Sequence, residues 1–314
     1  MKTKKQSYQI KNWNQYNEAL VKRGSLTFWF DENPITNWQS VDKTGKRGRS
    51  RTYTDTAIQC MLTIKAVFHQ PLRATEGLLL SLVHLLQLTI PVPDYTTLCR
   101  RQREHDVKLL RHQSKGAVHV VVDSTGLKVF GEGEWKVRQH GWTKRRTWRK
   151  LHLAINSANG EIMASAVTTN SVSDGEVLPY LLAQIPEPIE QVSADGAYDK
   201  ANCYDLIEKL GSRAVIPPRR DAKIWQHGNS LKPPLARDEN LRAIRGKGRK
   251  QWKQEAGYHR RSLAETAMFR IKTIFGSVLN ARRFESQVTE AMIRCNALNR
   301  ITWLGMPYSC LVTA

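Results

Sequence analysis

Residues 54 to 110 carry a helical spacing of apolar positions, and from Lys115 onward short apolar runs alternate with polar turns. The first stretch predicts a helix over Thr54 to His69 and another over Pro71 to Leu88. A Pro91-Val92-Pro93 break follows, and then a helix beginning near Asp94 that Asp94 or Thr96 can cap. Arg100, Arg101, Arg103 and Lys108 lie in that third helix. An apolar helix, a short turn and a basic helix fit a helix-turn-helix whose second helix enters a major groove, and fit equally a basic surface helix in an ordinary bundle.

In the second stretch, runs at 118 to 122, 150 to 156 and 161 to 168, the last two joined by Ser157-Ala158-Asn159-Gly160, predict three antiparallel strands. A helix at about 174 to 185, a strand at 190 to 194, a helix at 201 to 210 and a short strand at Arg213 to Ile216 come next, before Pro217-Pro218. The segment 218–257 is basic and rich in breakers, with Pro233-Pro234, Gly246 and Gly248, and reads as an insertion ahead of a last amphipathic helix. The expected fold is α/β, a mixed sheet flanked by helices over 113–314, preceded by a helical region over 1–112.

A 40% hydrophobic content supports a real core, and 49 basic against 28 acidic residues give a net charge of +21, which calls for a polyanionic partner. Nucleic acid is the leading one. A membrane is a poor alternative, because the longest apolar stretch, Leu78 to Leu88, contains His84 and falls short of the ~20 residues of a span. The basic N-terminus meets Lys11, Asn12, Trp13 and Asn14 where a signal peptide is apolar, so a cytoplasmic, nucleoid-associated protein is expected. The five cysteines include no C-x-x-C pair, and neither a phosphate-binding G-x-x-x-x-G-K-[ST] loop nor an H-E-x-x-H helix is present.

Within that frame three carboxylates stand out. Val118 to Val122 runs straight into Asp123-Ser124-Thr125-Gly126, as a strand ending in a polar turn, and Gln191 to Asp195 repeats this before Gly196. Strand-end residues of an α/β sheet face the crevice where ligands bind, although an Asp before Gly or Ser is also ordinary turn chemistry. The third, Glu265, is expected on a helix where Tyr258, Arg261, Glu265 and Lys272 share a stripe about 60° wide, opposite Leu263, Ala267, Ile271, Ile274 and Val278. Such a stripe also suits the solvated face of any amphipathic helix. Arg261 before Glu265 is, however, the less favourable order for a helix-stabilising pair, so something besides helix stability sets it.

Two basic segments flank these acids. Trp225 and Trp252 lie among the cations of the insertion, either to stack on an unpaired DNA base or to pack the insertion's own small core. Trp135 to Lys150 holds Lys136, Arg138, Lys144, Arg145, Arg146, Arg149 and Lys150 without one acid, as a solvated hairpin or a phosphate-contacting ribbon.

Tyr258-x-x-Arg261-x-x-x-Glu265-x-x-x-x-x-x-Lys272 resembles the Y-R-E-K signature of bacterial insertion-sequence DDE transposases, and Asp195-Gly196-Ala197-Tyr198 resembles the block around their second aspartate. Leu72 to Arg101 is similar to the N-terminal part of one branch, the fifth insertion-sequence family. The resemblance implies an RNase H-like core and makes 1–112 an N-terminal helical DNA-binding region that recognises terminal inverted repeats, with a homodimer expected in the DNA complex. It also implies two Mg²⁺ or Mn²⁺ ions on Asp123, Asp195 and Glu265, and transposon-end contacts by Tyr258, Arg261 and Lys272. Three converging carboxylates repel one another unless cations neutralise them, and hard oxygen ligands favour those ions. Two rivals stay open: a catalytically silent DNA-binding regulator of transposase shape, and a nuclease that cuts without joining.

Overall fold

A computed structural model describes residues 7–30, 35–40, 51–130, 148–226 and 233–312; most of the basic run from Trp135, up to Thr147, lies outside the described residues. The chain divides into two compact units, one of residues up to His105 together with Asn296 onward, the other Asp106–Cys295.

In the first unit, strand β1 (Ser7–Ile10) pairs antiparallel with the strand Ser309–Val312, and helices α1 (Trp13–Lys22) and α2 (Leu26–Trp29) follow β1. Helices α3 (Asp55–Val67), α4 (Leu72–Leu85) and α5 (Tyr95–Glu104) pack on one another. The Thr54 side chain caps α3 by accepting from the Ala57 amide, and Asp94 caps α5 by accepting from Thr96 and Thr97. Ile58, Met61, Ile64, Leu79, Leu82 and Leu98 bury the shared face. Helix α4 stops short of the expected Leu88 because Gln87 takes a positive φ of 52°.

The second unit is built on strands β2 (Val118–Val129), β3 (Trp148–Asn156), β4 (Ile162–Thr169), β5 (Ile189–Ser193) and β6 (Arg213–Val215), in the spatial order β4-β3-β2-β5-β6. Strand β3 runs antiparallel to both neighbours, whereas β5 and β6 run parallel to β2. This is the mixed sheet of an RNase H-like fold. Helices α6 (Asp174–Ala183) and α7 (Ala201–Lys209) cover one face, where Val118, Val120, Val122 and Ala154 meet Leu178, Leu181, Cys203 and Ile207. Alternation along β2 turns His119, Val121 and Asp123 to the other face. There the inserted segment forms α8 (Ala236–Lys247) and α9 (Arg249–Glu255), and α10 (Ser262–Phe275) packs over β2 and β3. A short strand β7 (Val278–Leu279) and the long helix α11 (Phe284–Leu304) complete the order.

Two further expectations are corrected. Helix α5 ends at Glu104 and leaves Lys108 outside it. Strand β2 does not end before Asp123; it continues to Val129, because β3 offers a ladder partner at every step from Asp123↔Leu153 to Lys128↔Trp148. Pairing overrides the turn preference of Ser124-Thr125-Gly126. Gly126 serves here as a flat spot, since a Cβ would meet the Trp148 ring at 3.1 Å. Among the described residues no helix is long and apolar enough to cross a membrane.

His152 on β3 is wholly buried, its Nε2 2.8 Å from Thr168 Oγ1, and burial pushes its pKa down to about 4 although Asp174 pulls upward. A folded-state value below the unfolded 6.5 means stability is present above that pH and is lost as the pH falls toward 4. His152→Gln is expected to remove about 2 kcal/mol of that acid sensitivity, measured as a flatter dependence of urea unfolding on pH than the wild type shows.

Candidate active site

The site lies on an edge of β2 that changes partners. Strand β5 follows β2 only to Val121↔Ser193, and β7 takes up the same edge at Lys128↔Val278. Between them, among the described residues, β2 is held by β3 alone, and Asp123 stands in that gap with its side chain 14% exposed. Its Oδ1 accepts from the Ser124 amide at 2.8 Å.

Two residues beyond the end of β5, Asp195 caps the 3₁₀ turn Gly196–Tyr198 by accepting from the Ala197 amide at 2.9 Å. Glu265 sits in the first turn of α10, where the helix dipole favours a carboxylate, and its side chain is 57% exposed. Arg261 joins two of the acids: it donates to Asp123 Oδ2 at 2.6 Å and through its other nitrogen to Glu265. This explains the order of the Arg261–Glu265 pair, which serves a bridge between elements and not the helix alone.

Negative charge predominates here, with three carboxylates and one guanidinium. Burial raises the Asp123 pKa and the fields of Asp195 and Glu265 add to the rise, while the Ser124 amide and Arg261 oppose it. Arg261 is held more firmly protonated: burial works against its charge, but Tyr258 and the three carboxylates outweigh it. The Tyr258 phenol is pushed up chiefly by burial and also by Asp195, Asp123 and Glu265. Asp123, Arg261 and Tyr258 therefore each feel the charges of Asp195 and Glu265.

Tyr258 and Arg261 do not share the helix of Glu265, as the sequence led us to expect. They occupy a 3₁₀ turn, Tyr258–Arg261, entered through Gly257 at φ 65°, and α10 starts at Ser262. The buried face of α10 is Ala264, Ala267, Met268, Ile271 and Phe275; Leu263 and Ile274 are half-buried and Val278 belongs to β7. Tyr258 is buried against Trp252, Val215 and Ala256. Lys272 lies about 10 Å further along α10 than Glu265, half-buried and outside the hydrogen bonds and ion pairs of the cluster.

The other expected DNA contacts separate sharply. Arg100 is exposed on α5, with its guanidinium 3.3 Å from Thr97 Oγ1. Arg101 is turned inward, 7% exposed, donating to the Tyr53 carbonyl at 2.8 Å and paired with Asp55, so its charge is spent inside the helical cluster. Trp252 is 4% exposed and packs the inserted segment, which leaves no face for a base. Trp225 is 41% exposed but carries the Arg237 guanidinium on its ring at 3.7 Å. Sequence reasoning missed Asp199, which pairs with Arg237 at 2.9 Å, and Asp174, which lies 3.2 Å from the Lys150 ammonium. Asp199 could have been noticed as the second acid of Asp195-Gly-Ala-Tyr-Asp199; nothing local marks Arg237 or Asp174.

Residues 114–300, more than half of the chain, match the family described as "Transposase DDE domain", and residues 21–132 match a second family of the same description. The chain belongs to the DDE transposases. As a member it is a DNA transposase, an enzyme of a family that generally uses divalent metal ions. Among solved structures, the transposase is similar to a piggyBac transposase in a synaptic complex with hairpin DNA, at 10% identity and a TM-score of 0.42, over 91% of this chain and 74% of that one. It is also similar to the Drosophila P element transposase in a strand transfer complex, at 15% identity and a TM-score of 0.27, over 64% of this chain and 43% of that one.

The donor set fits such an ion in kind, because Asp123, Asp195 and Glu265 offer hard carboxylate oxygens and the buried Asp123 needs a nearby cation to stay charged. Among the described residues no three potential ligands are gathered at coordinating distance, and Arg261 supplies the positive charge between Asp123 and Glu265. Replacing Arg261 by Gln is expected to lower stability at pH 7 by about 1–3 kcal/mol, because Asp123 loses its compensating charge. Asp123→Asn in the same protein should restore part of that loss. Urea unfolding of the two single variants and the double variant checks it, and simple additivity would rule the bridge out.

Proposed function

We propose that this transposase binds the terminal inverted repeats of an insertion sequence, hydrolyses the phosphodiester at each end and joins the freed 3′-hydroxyl to target DNA. The observation that carries the reading is the Arg261 bridge between Asp123 and Glu265 at the edge of β2, with Asp195 near enough for its charge to act on both Asp123 and Arg261. Asp123, Asp195 and Glu265 would hold two Mg²⁺ or Mn²⁺ ions. Bound there, the ions supply activation of the attacking water or 3′-hydroxyl and neutralisation of the leaving oxygen.

The chain's own residues account for the rest. Arg261 is poised to exchange a carboxylate for a phosphate oxygen, since a guanidinium suits both. Tyr258 fixes the turn that aims Arg261, and Lys272 extends positive charge along α10 for the backbone of the transposon end. Arg100, exposed on α5, is free to reach DNA, whereas Arg101 and Trp252 act as packing residues. Trp225 can offer a base only the ring face that Arg237 leaves open. Two ends must be brought together, which favours a homodimer in the DNA complex. The Leu72 to Arg101 motif supports membership of the fifth insertion-sequence branch.

The intact acids favour an active enzyme over a silent regulator, and the two are told apart by one variant. Asp195→Ala should bind labelled end DNA normally and fail to nick it in Mg²⁺; nicking at the wild-type rate would remove the metal-site assignment. A plasmid target in the same assay separates joining from cutting alone. Lys272→Ala is expected to weaken end binding and to reduce the slope of log affinity against log salt by about one unit, and an unchanged slope would count against a phosphate contact.

A further inference from the structure

The loop that carries Asp195 is tied down by a buried ion pair whose cation comes from the inserted segment. After the turn Gly196–Tyr198 stands Asp199, its side chain 3% exposed. Two donors converge on its carboxylate, Arg237 Nε at 2.9 Å and the Arg219 amide at 3.3 Å, while the neighbouring Tyr204 hydroxyl donates to the Ile216 carbonyl at 3.3 Å. Arg237, in the first turn of α8 and 3% exposed as a residue, makes further contacts. Its Nη1 donates to the Lys223 carbonyl at 2.7 Å and to Asp238 at 3.2 Å, and Trp225 covers its guanidinium face. Asp238, wholly buried, accepts from the Trp225 and Gln226 amides, and Tyr204 closes the cluster edge-on to Trp225 at 6.0 Å.

Burying two acids and an arginine costs desolvation, so such a cluster is weak evidence of added stability and better evidence of an imposed geometry. That geometry reaches Asp195 within one turn. The Ala197 amide donates to the Asp195 carboxylate, the Tyr198 amide to the Asp195 carbonyl at 3.1 Å, and the Asp199 amide to the Gly196 carbonyl at 3.3 Å. A shift of Asp199 therefore moves the turn whose Ala197 amide orients the Asp195 carboxylate. Groups that hydrogen-bond around a ligand in this way set its direction as much as the ligand's own rotamer does.

The geometry points to Arg237 and Asp199 as positioning residues for Asp195, through which the inserted segment sets the orientation of a metal-ligating carboxylate. This rests on the reading of Asp195 as a metal ligand. The test uses the full chain, with Arg237→Gln, Arg237→Lys, Asp199→Asn and Asp195→Asn. Hydrogen exchange without metal should be faster at the amides of residues 197–199 in Arg237→Gln and Asp199→Asn, with Arg237→Lys between them and the wild type. Mn²⁺ affinity, followed by electron paramagnetic resonance, should fall about tenfold in the first two variants.

Adding Arg237→Gln to Asp195→Asn should weaken Mn²⁺ binding no further than Asp195→Asn alone, an equality that general destabilisation would not produce. Wild-type exchange and wild-type Mn²⁺ affinity in the Arg237 and Asp199 variants overturn the inference. Should Arg237→Gln fail to fold, the near-isosteric Asp199→Asn and the charge-retaining Arg237→Lys give the same readouts. If Asp195→Asn itself leaves Mn²⁺ binding unchanged, the metal-ligand reading fails instead, and the exchange data still report the link between the inserted segment and the turn.

Discussion

The site depends on the antiparallel ladder between β2 and β3. Because β3 continues to pair beyond the point where β5 leaves β2, the backbone at Asp123 stays extended while its other edge opens. A carboxylate at that position is anchored by sheet hydrogen bonds and yet borders a gap. Parallel neighbours of unequal length create such gaps in α/β sheets, which is why ligands gather at strand ends. Here the gap is bounded by Asp195 just beyond β5 and by the 3₁₀ turn that precedes α10.

The cations around the gap are not interchangeable. Arg261 compensates Asp123 and Glu265 directly, whereas Arg237 is buried some way from the acids and acts on the loop of Asp195 through Asp199. A net charge of +21 conceals this division. Part of the positive charge is held inside by paired carboxylates, as at Arg101 and Arg237, and only the remainder is free to meet phosphate. The bulk charge predicts a polyanionic partner correctly for this family but does not say which arginines face it.

Aromatic residues show the same division. Trp252 and Tyr258 pack one small core with Val215 and Ala256, which fixes the turn bearing Arg261 to the sheet. Burial of these rings makes the inserted segment part of the catalytic unit's support, a role that tryptophan among cations does not advertise in sequence. Trp225 is spent in part on covering Arg237.

The strands from β2 to β6 and helices α3 to α7 were legible in the sequence, because alternation and caps are local properties of the chain. The Y-R-E-K spacing gave the family but not the conformation: Tyr258 and Arg261 lie on a 3₁₀ turn, and the apolar side of α10 is centred on Ala264, Met268 and Ile271. The end of β2 was misplaced for a related reason, since Ser124-Thr125-Gly126 prefers a turn until a partner strand supplies hydrogen bonds. Which arginines are buried, which tryptophans are covered and which acid meets Arg237 depend on contacts between residues tens of positions apart. Local preference carries no information about those partners, and only the packed fold decides them.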